Sequence, residues 1–144
     1  MTTARSLSDL SVRERVELFE EQCNAEGLEG YAALLAPDVE AGMGDLTATG
    51  RDAVVRAFAG TKQAFPDLRV TFAHVVISGD EVAAELVERG THTRDLVLPD
   101  RTIPATGRRI ELRTATFFRY GEDGRIRSVR DYVDRAAFRE QLGL

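Results

Sequence analysis

The chain has 144 residues, enough for one domain spanning 1–144 with an ordinary hydrophobic core and too few for two. Its 43% hydrophobic and 30% charged residues exclude a disordered, collagen-like or coiled-coil chain. With 19 basic against 24 acidic residues, the net charge of −5 argues against nucleic acid or an anionic membrane as the main partner.

No apolar run approaches the roughly 18 residues of a membrane span. The N-terminal stretch MTTARSLSDLS lacks the apolar centre of a signal peptide. Cys23 is the only cysteine, so an intrachain disulfide is impossible and a reducing cytoplasm is the expected location. Two histidines without C-x-x-C or H-E-x-x-H spacing argue against zinc, and no Gly-rich phosphate loop occurs.

In chain order, Ser11-Val12-Arg13-Glu14 fits a capping box. Behind it Val12, Val16, Phe19 and Cys23 recur at helical spacing. After Gly27, a short helix through Tyr31, Leu34 and Leu35 is expected to end before Pro37. A short strand over Val39–Met43 follows. A third helix begins after Thr49-Gly50, carries Val54, Phe58 and Phe65 inward, and stops at Pro66.

From Leu68 the period becomes two, giving a strand to Ser78, a turn at Gly79-Asp80 and a second strand from Glu81 to about Thr93. Arg94 to Gly107 holds two prolines and reads as a loop. It is too apolar for a solvated linker, which suggests a mobile lid over a pocket mouth. Arg108–Tyr120 and Arg125–Val133 form a hairpin across 121–124, and Asp134 caps a last helix over Arg135–Leu142. Helices followed by a meander predict an α+β fold, a curved sheet with helices on one face.

Placing Tyr120 opposite Arg125 sets Phe118 against Arg127, Thr116 against Val129, Thr114 against Asp131 and Leu112 against Val133. Asp131 then stands among apolar and hydroxyl neighbours with Arg127 as the other charge on that face. An apolar surrounding would raise its pKa and suit it to proton transfer near neutral pH. An ion pair with Arg127 would instead make it structural.

The segments FPDLRV (Phe65–Val70), SGDEVA (Ser78–Ala83), RGTHT (Arg89–Thr93), ATGRRIELR (Ala105–Arg113) and EDGRIRSVRDYVD (Glu122–Asp134) come in a recognisable order and spacing. In these the chain resembles the SnoaL-like polyketide cyclases of the NTF2-like superfamily, over about residues 10 to 142. The resemblance implies an α+β cone: N-terminal helices on the concave face of a curved mixed or antiparallel sheet, closed by a short C-terminal helix. It also implies a deep pocket, usually a homodimer, and cofactor-independent ring closure on a small, apolar polyketide-type substrate.

The family's acid/base aspartate closes a His-Trp-Asp pattern and matches Asp131, although Val129 and Arg130 stand in the first two places. A helper histidine on the preceding strand matches Thr116. With that helper replaced, aldol-type and shape-driven, cycloaddition-type closure are both expected routes. A dehydratase, isomerase or epoxide/pyran-type hydrolase-cyclase on the same fold is the alternative. A non-catalytic ligand-binding or dimeric adaptor is the alternative from another class.

Asp131, Glu88 and His92 are the candidate catalytic residues. Glu88 faces inward to pair with Asp131 or outward as a solvated strand charge, and outward is the more ordinary outcome. His92 and His74 are each readable as structural histidines. Tyr31, His74, Leu86, Leu112, Thr114, Thr116, Phe118 and Val129 are the candidate substrate-binding residues. The outer series Arg113, Ala115, Phe117 and Arg119 reads as a subunit interface or a solvated face and not as an anion site, and Ala115 and Phe117 favour a homodimer through that outer face.

Overall fold

A computed structural model describes residues 5–144; residues 1–4, the start of the polar N-terminal stretch, lie outside the described residues. After a 3₁₀ turn at Leu7–Asp9, helix α1 spans Val12–Cys23. Its capping box is closed in both directions: the Glu14 amide donates to Ser11 Oγ at 3.1 Å, and the Ser11 amide donates to Glu14 Oε1 at 3.0 Å. Helix α2 covers only Glu29–Ala33, and strand β1 already begins at Leu35, running to Met43. The expected helix is therefore shorter and the expected strand longer. Pro37 is tolerated because β1 breaks register between Leu35 and Glu40, where no ladder amide is needed.

A two-residue turn at Gly44-Asp45 leads into strand β2, Leu46–Thr49, which pairs back on β1. Helix α3, Arg51–Ala64, precedes the long strands β3 (Arg69–Ser78) and β4 (Glu81–Thr91). Arg94 to Gly107 is not an unstructured lid. It contains a small hairpin, β5 (Leu96–Val97) paired with β6 (Thr102–Ile103), with Leu96 and Ile103 both buried. Strands β7 (Arg109–Tyr120) and β8 (Ile126–Val133) and helix α4 (Arg135–Leu142) complete the chain. No helix among the described residues is long and apolar enough to cross a membrane.

The six long strands lie in the order β2-β1-β8-β7-β4-β3, all antiparallel except the β1–β8 pair. The sheet is therefore mixed, and the helices cover one face of it. Asn24, just past α1, clamps that helix to the sheet: its side chain exchanges two 2.8 Å hydrogen bonds with the backbone of Val70. Two apolar clusters result. The larger joins α1, α2 and α3 to the sheet through Phe19, Tyr31, Leu86, Phe118 and Ile126. The second gathers Phe65, Leu96, Ile103, Ile110, Leu112 and Leu142 under the small hairpin and α4.

The β7–β8 register differs from the expected one by two residues. Tyr120 pairs with Ile126, and a bulge between Arg119 and Tyr120 expels Arg127, so that Phe118 faces Val129 and Thr116 faces Asp131. One residue comes from the longer turn and one from the bulge. A shift of two preserves the face of every side chain beyond the bulge, because strand side chains alternate with period two. Gly124 makes this turn possible, with φ of +81° and a position where a Cβ would lie 2.6 Å from the Leu7 carbonyl carbon.

Candidate active site

The inner face of the sheet is layered. Along β7, Ile110 and Leu112 belong to the second cluster and Phe118 and Tyr120 to the larger one. Thr114 and Thr116 lie between them. Glu88 on β4 and Asp131 on β8 flank this interval, giving a polar band between two apolar zones. Glu88 faces inward, against the more ordinary expectation. The Gly79-Asp80 turn holds two residues, pairing Ser78 with Glu81 and fixing Leu86 and Glu88 on the inner side with Thr114. The Thr114 hydroxyl donates to Glu88 Oε2 at 3.4 Å.

Both carboxyls are held above their ordinary range. Burial, and then the negative charge of Asp131, push Glu88 from 4.5 to about 7. Burial also raises Asp131, while the Thr116 hydroxyl beside it acts in the opposite direction. No lysine or arginine offsets either group. Arg127 is not the partner of Asp131: it lies outside and pairs with Asp38 at 3.2 Å. At neutral pH Glu88 is therefore poised near half protonation, and Asp131 on the same face is raised in the same direction.

The helices supply the opposite wall. The Tyr31 ring lies tilted against Phe58 at 4.6 Å and 6.0 Å from Phe19, which meets Phe118 edge-on at 5.3 Å. Cys23 is buried nearby, and burial together with the Glu88 charge pushes its thiol up to about 12, leaving it unreactive. Lys62, the only lysine, is tied to the end of α1 through the carbonyls of Cys23 and Ala25 and lies 5.5 Å from the Phe58 ring. Glu88, Phe58, Val129, Asp131 and Val133 are only half-buried although they face the interior, so each keeps some access to solvent at the edge of the core.

Other candidates fall elsewhere. His74 is exposed on the outer face, because a bulge at Ala73 reverses the alternation between Phe72 and His74. It does not line the interior as expected. His92 is fully buried but belongs to the small hairpin: its Nδ1 accepts from the Thr106 amide at 3.3 Å and lies 3.0 Å from Thr106 Oγ1. Its ring stacks on Phe65 at 5.1 Å. Burial lowers its pKa, and the only charge acting on it is that of Asp95. Its placement is that of a structural pin, apart from the acid pair. Leu112 is on the inner face but joins the second cluster, whereas Leu86, Phe118 and Val129 wall the larger one.

Sequence reasoning missed Cys23 and Lys62 as neighbours of this site, since helical spacing gives no cross-element contact. Two surface clefts, of about 360 and 530 Å³, are lined by charged strand ends and do not include Glu88 or Asp131. Among the described residues no three histidine, cysteine, aspartate or glutamate side chains gather as a metal site.

The sequence profile of the SnoaL-like polyketide cyclases matches residues 13–142. The chain belongs to the SnoaL-like polyketide cyclase family. Solved structures agree with that membership. A proposed SnoaL-like polyketide cyclase from Jannaschia sp. CCS1 superposes with a TM-score of 0.80 at 16% identity, over 99% of this chain and 96% of that one. IdmH, a proposed polyketide cyclase from Streptomyces antibioticus, is 28% identical, with a TM-score of 0.75 over 94% and 100% of the two chains. An NTF2-like protein of unknown function from Burkholderia pseudomallei K96243 is 21% identical, with a TM-score of 0.76 over 94% and 100%. The fold is thus the NTF2-like α+β fold. Among curated proteins no match to the sequence is found.

Proposed function

We propose that this chain is a cofactor-independent cyclase that closes a ring on an apolar polyketide-type intermediate, with Asp131 as base and Glu88 as acid. The observation that carries this is the inward, uncompensated carboxyl pair. A buried acid with no cation beside it costs folding stability, and a purely structural or adaptor domain gains nothing from two of them. An apolar site with two inward carboxyls, one of them poised near neutrality, suits enolisation of a carbonyl compound.

In that chemistry Asp131 takes the proton from a carbon next to a carbonyl, and Glu88 protonates the carbonyl oxygen. The enol carbon then bonds to a second carbonyl carbon of the same molecule. Glu88 recovers its proton as the first carbonyl re-forms, and the proton on Asp131 passes to the new hydroxyl. Atoms are conserved and no cofactor takes part. Glu88 supplies the second titratable group that Thr116 cannot. Leu86, Phe118 and Val129 on one side and Leu112 on the other would hold the apolar parts of the substrate in a folded conformer, which itself lowers the barrier.

We further infer a homodimer through the outer sheet face. Val76, Phe117 and Tyr132 are 53%, 42% and 57% exposed there, and Tyr132 meets Phe117 edge-on at 5.8 Å. Deleting the gene and profiling metabolites tests the proposed reaction. An accumulated isomer with one ring fewer than the product supports it. A precursor heavier by water points to dehydration instead, and an unchanged profile rejects a biosynthetic role.

A further inference from the structure

Ring closure of the kind proposed above involves two carbonyl oxygens; Glu88 serves the first, and Asp131 delivers its proton to the second only after the carbon–carbon bond has formed. The second oxygen gains negative charge as the carbon–carbon bond forms and needs a donor fixed in place beforehand. The inner face offers few. Thr114 donates to Glu88, and Thr116 lies on Asp131. The Tyr120 hydroxyl is sealed in the larger cluster without a partner, and His92 Nε2 and Arg125 Nε are sealed elsewhere.

Tyr31 differs from all of these. Its side chain is only 7% exposed, yet its hydroxyl has no protein partner and is not among the sealed polar atoms, so it borders open space. The ring is held between Phe58 at 4.6 Å and Phe19 at 6.0 Å. Phe58 is in turn flanked by Lys62, whose tether to the end of α1 braces α3 against it. Five-residue α2 is thereby pinned where its one aromatic side chain is needed.

We propose that the Tyr31 hydroxyl is the donor that holds the second carbonyl oxygen of the substrate while Glu88 serves the first. The phenol stays neutral and able to donate, because burial above all, and any negative charge on Asp131, push its ionisation upward. In the closing step Tyr31 keeps its proton. It hydrogen-bonds the developing alkoxide until the proton on Asp131 reaches that oxygen.

This inference rests on the acid-pair reading, and a binding experiment separates the two. 2-Naphthol is an uncharged enol mimic that can donate to Asp131 and accept from Tyr31, while naphthalene fills the same space without a hydroxyl. The chain has no tryptophan, so naphthyl fluorescence reports the ligand alone. Tyr31→Phe should weaken 2-naphthol roughly tenfold, the worth of one hydrogen bond, and leave naphthalene unchanged. Tyr120→Phe should change neither. Equal weakening of both ligands would make Tyr31 a packing residue and overturn the proposal. So would undiminished 2-naphthol binding by Tyr31→Phe when Asp131→Asn weakens it, and that result leaves the acid pair standing. A wild-type protein that binds neither ligand refutes the cavity reading and the Tyr31 proposal together.

Discussion

Replacing Glu88 by glutamine should make the protein more stable at alkaline pH, and the gain can be worked from the site. Burial beside Asp131 raises the Glu88 carboxyl from 4.5 to about 7. The folded protein then holds a proton that the unfolded chain has already released. Stability that depends on this proton is complete below about pH 4.5 and is lost as the pH climbs through about 7. At about 1.4 kcal/mol per pH unit, the loss amounts to about 3 kcal/mol. Glu88→Gln cannot ionise and should escape it. The variant should match wild type near pH 4.5 and exceed it by up to about 3 kcal/mol at pH 8.5, or roughly 6–10 °C in Tm for a chain of this size. Asp131, raised in the same direction, leaves a decline of the same sign in both proteins. Surface acids such as Asp45 and Asp67 are held low and cancel in the comparison. Thermal melts of both proteins across pH 4.5–9 provide the assay. Parallel curves would mean that Glu88 titrates normally, and the argument from an uncompensated acid would fall.

Asp131→Asn keeps the shape of the base and removes its proton transfer, so turnover should fall roughly 10²-fold or more with the fold intact. The same substitution should soften the Glu88 pH effect without abolishing it, because burial outweighs the Asp131 charge there. On the outer face, Phe117→Glu should convert a dimer to a monomer in light scattering at micromolar concentration; a wild-type monomer would refute the proposed interface. Ile103→Ala, beneath the small hairpin, should cost about 2–5 kcal/mol in denaturant melts. A negligible cost would return that hairpin to the status of a loose lid.

Much of the architecture is legible in the sequence because it rests on local rules. The Ser11–Glu14 box, the stop at Pro66, the two-residue turn at Gly79-Asp80 and the Asp134 cap all act within a few residues. What escaped was non-local. The β1–β8 pairing is parallel and joins residues some ninety positions apart, so nothing near Leu35 marks it as the start of a strand instead of the end of a helix. The bulges at Ala73 and near Arg127 add single residues that no hydrophobic pattern announces, and they turned His74 and Arg127 outward.

The candidate site followed the same division. Asp131 stood out as a charge in an apolar alternation, and its face survived the register error because two one-residue shifts preserve parity. Glu88 turned on the length of one turn, which composition leaves open. Tyr31, Cys23 and Lys62 meet the site only through helix packing, where spacing along the chain carries no information about the facing sheet.

The account's central claim is that Asp131 removes a proton from carbon as the ring closes. The most direct measurement incubates the purified enzyme in D2O with the intermediate that accumulates in the deletion strain, and follows substrate and product by mass spectrometry. The account predicts a product of unchanged composition and unreacted substrate that gains deuterium at its enolisable carbon with wild type but not with Asp131→Asn. Full-rate closure by Asp131→Asn, with no deuterium entering carbon, would contradict it and leave the cavity acting by shape alone.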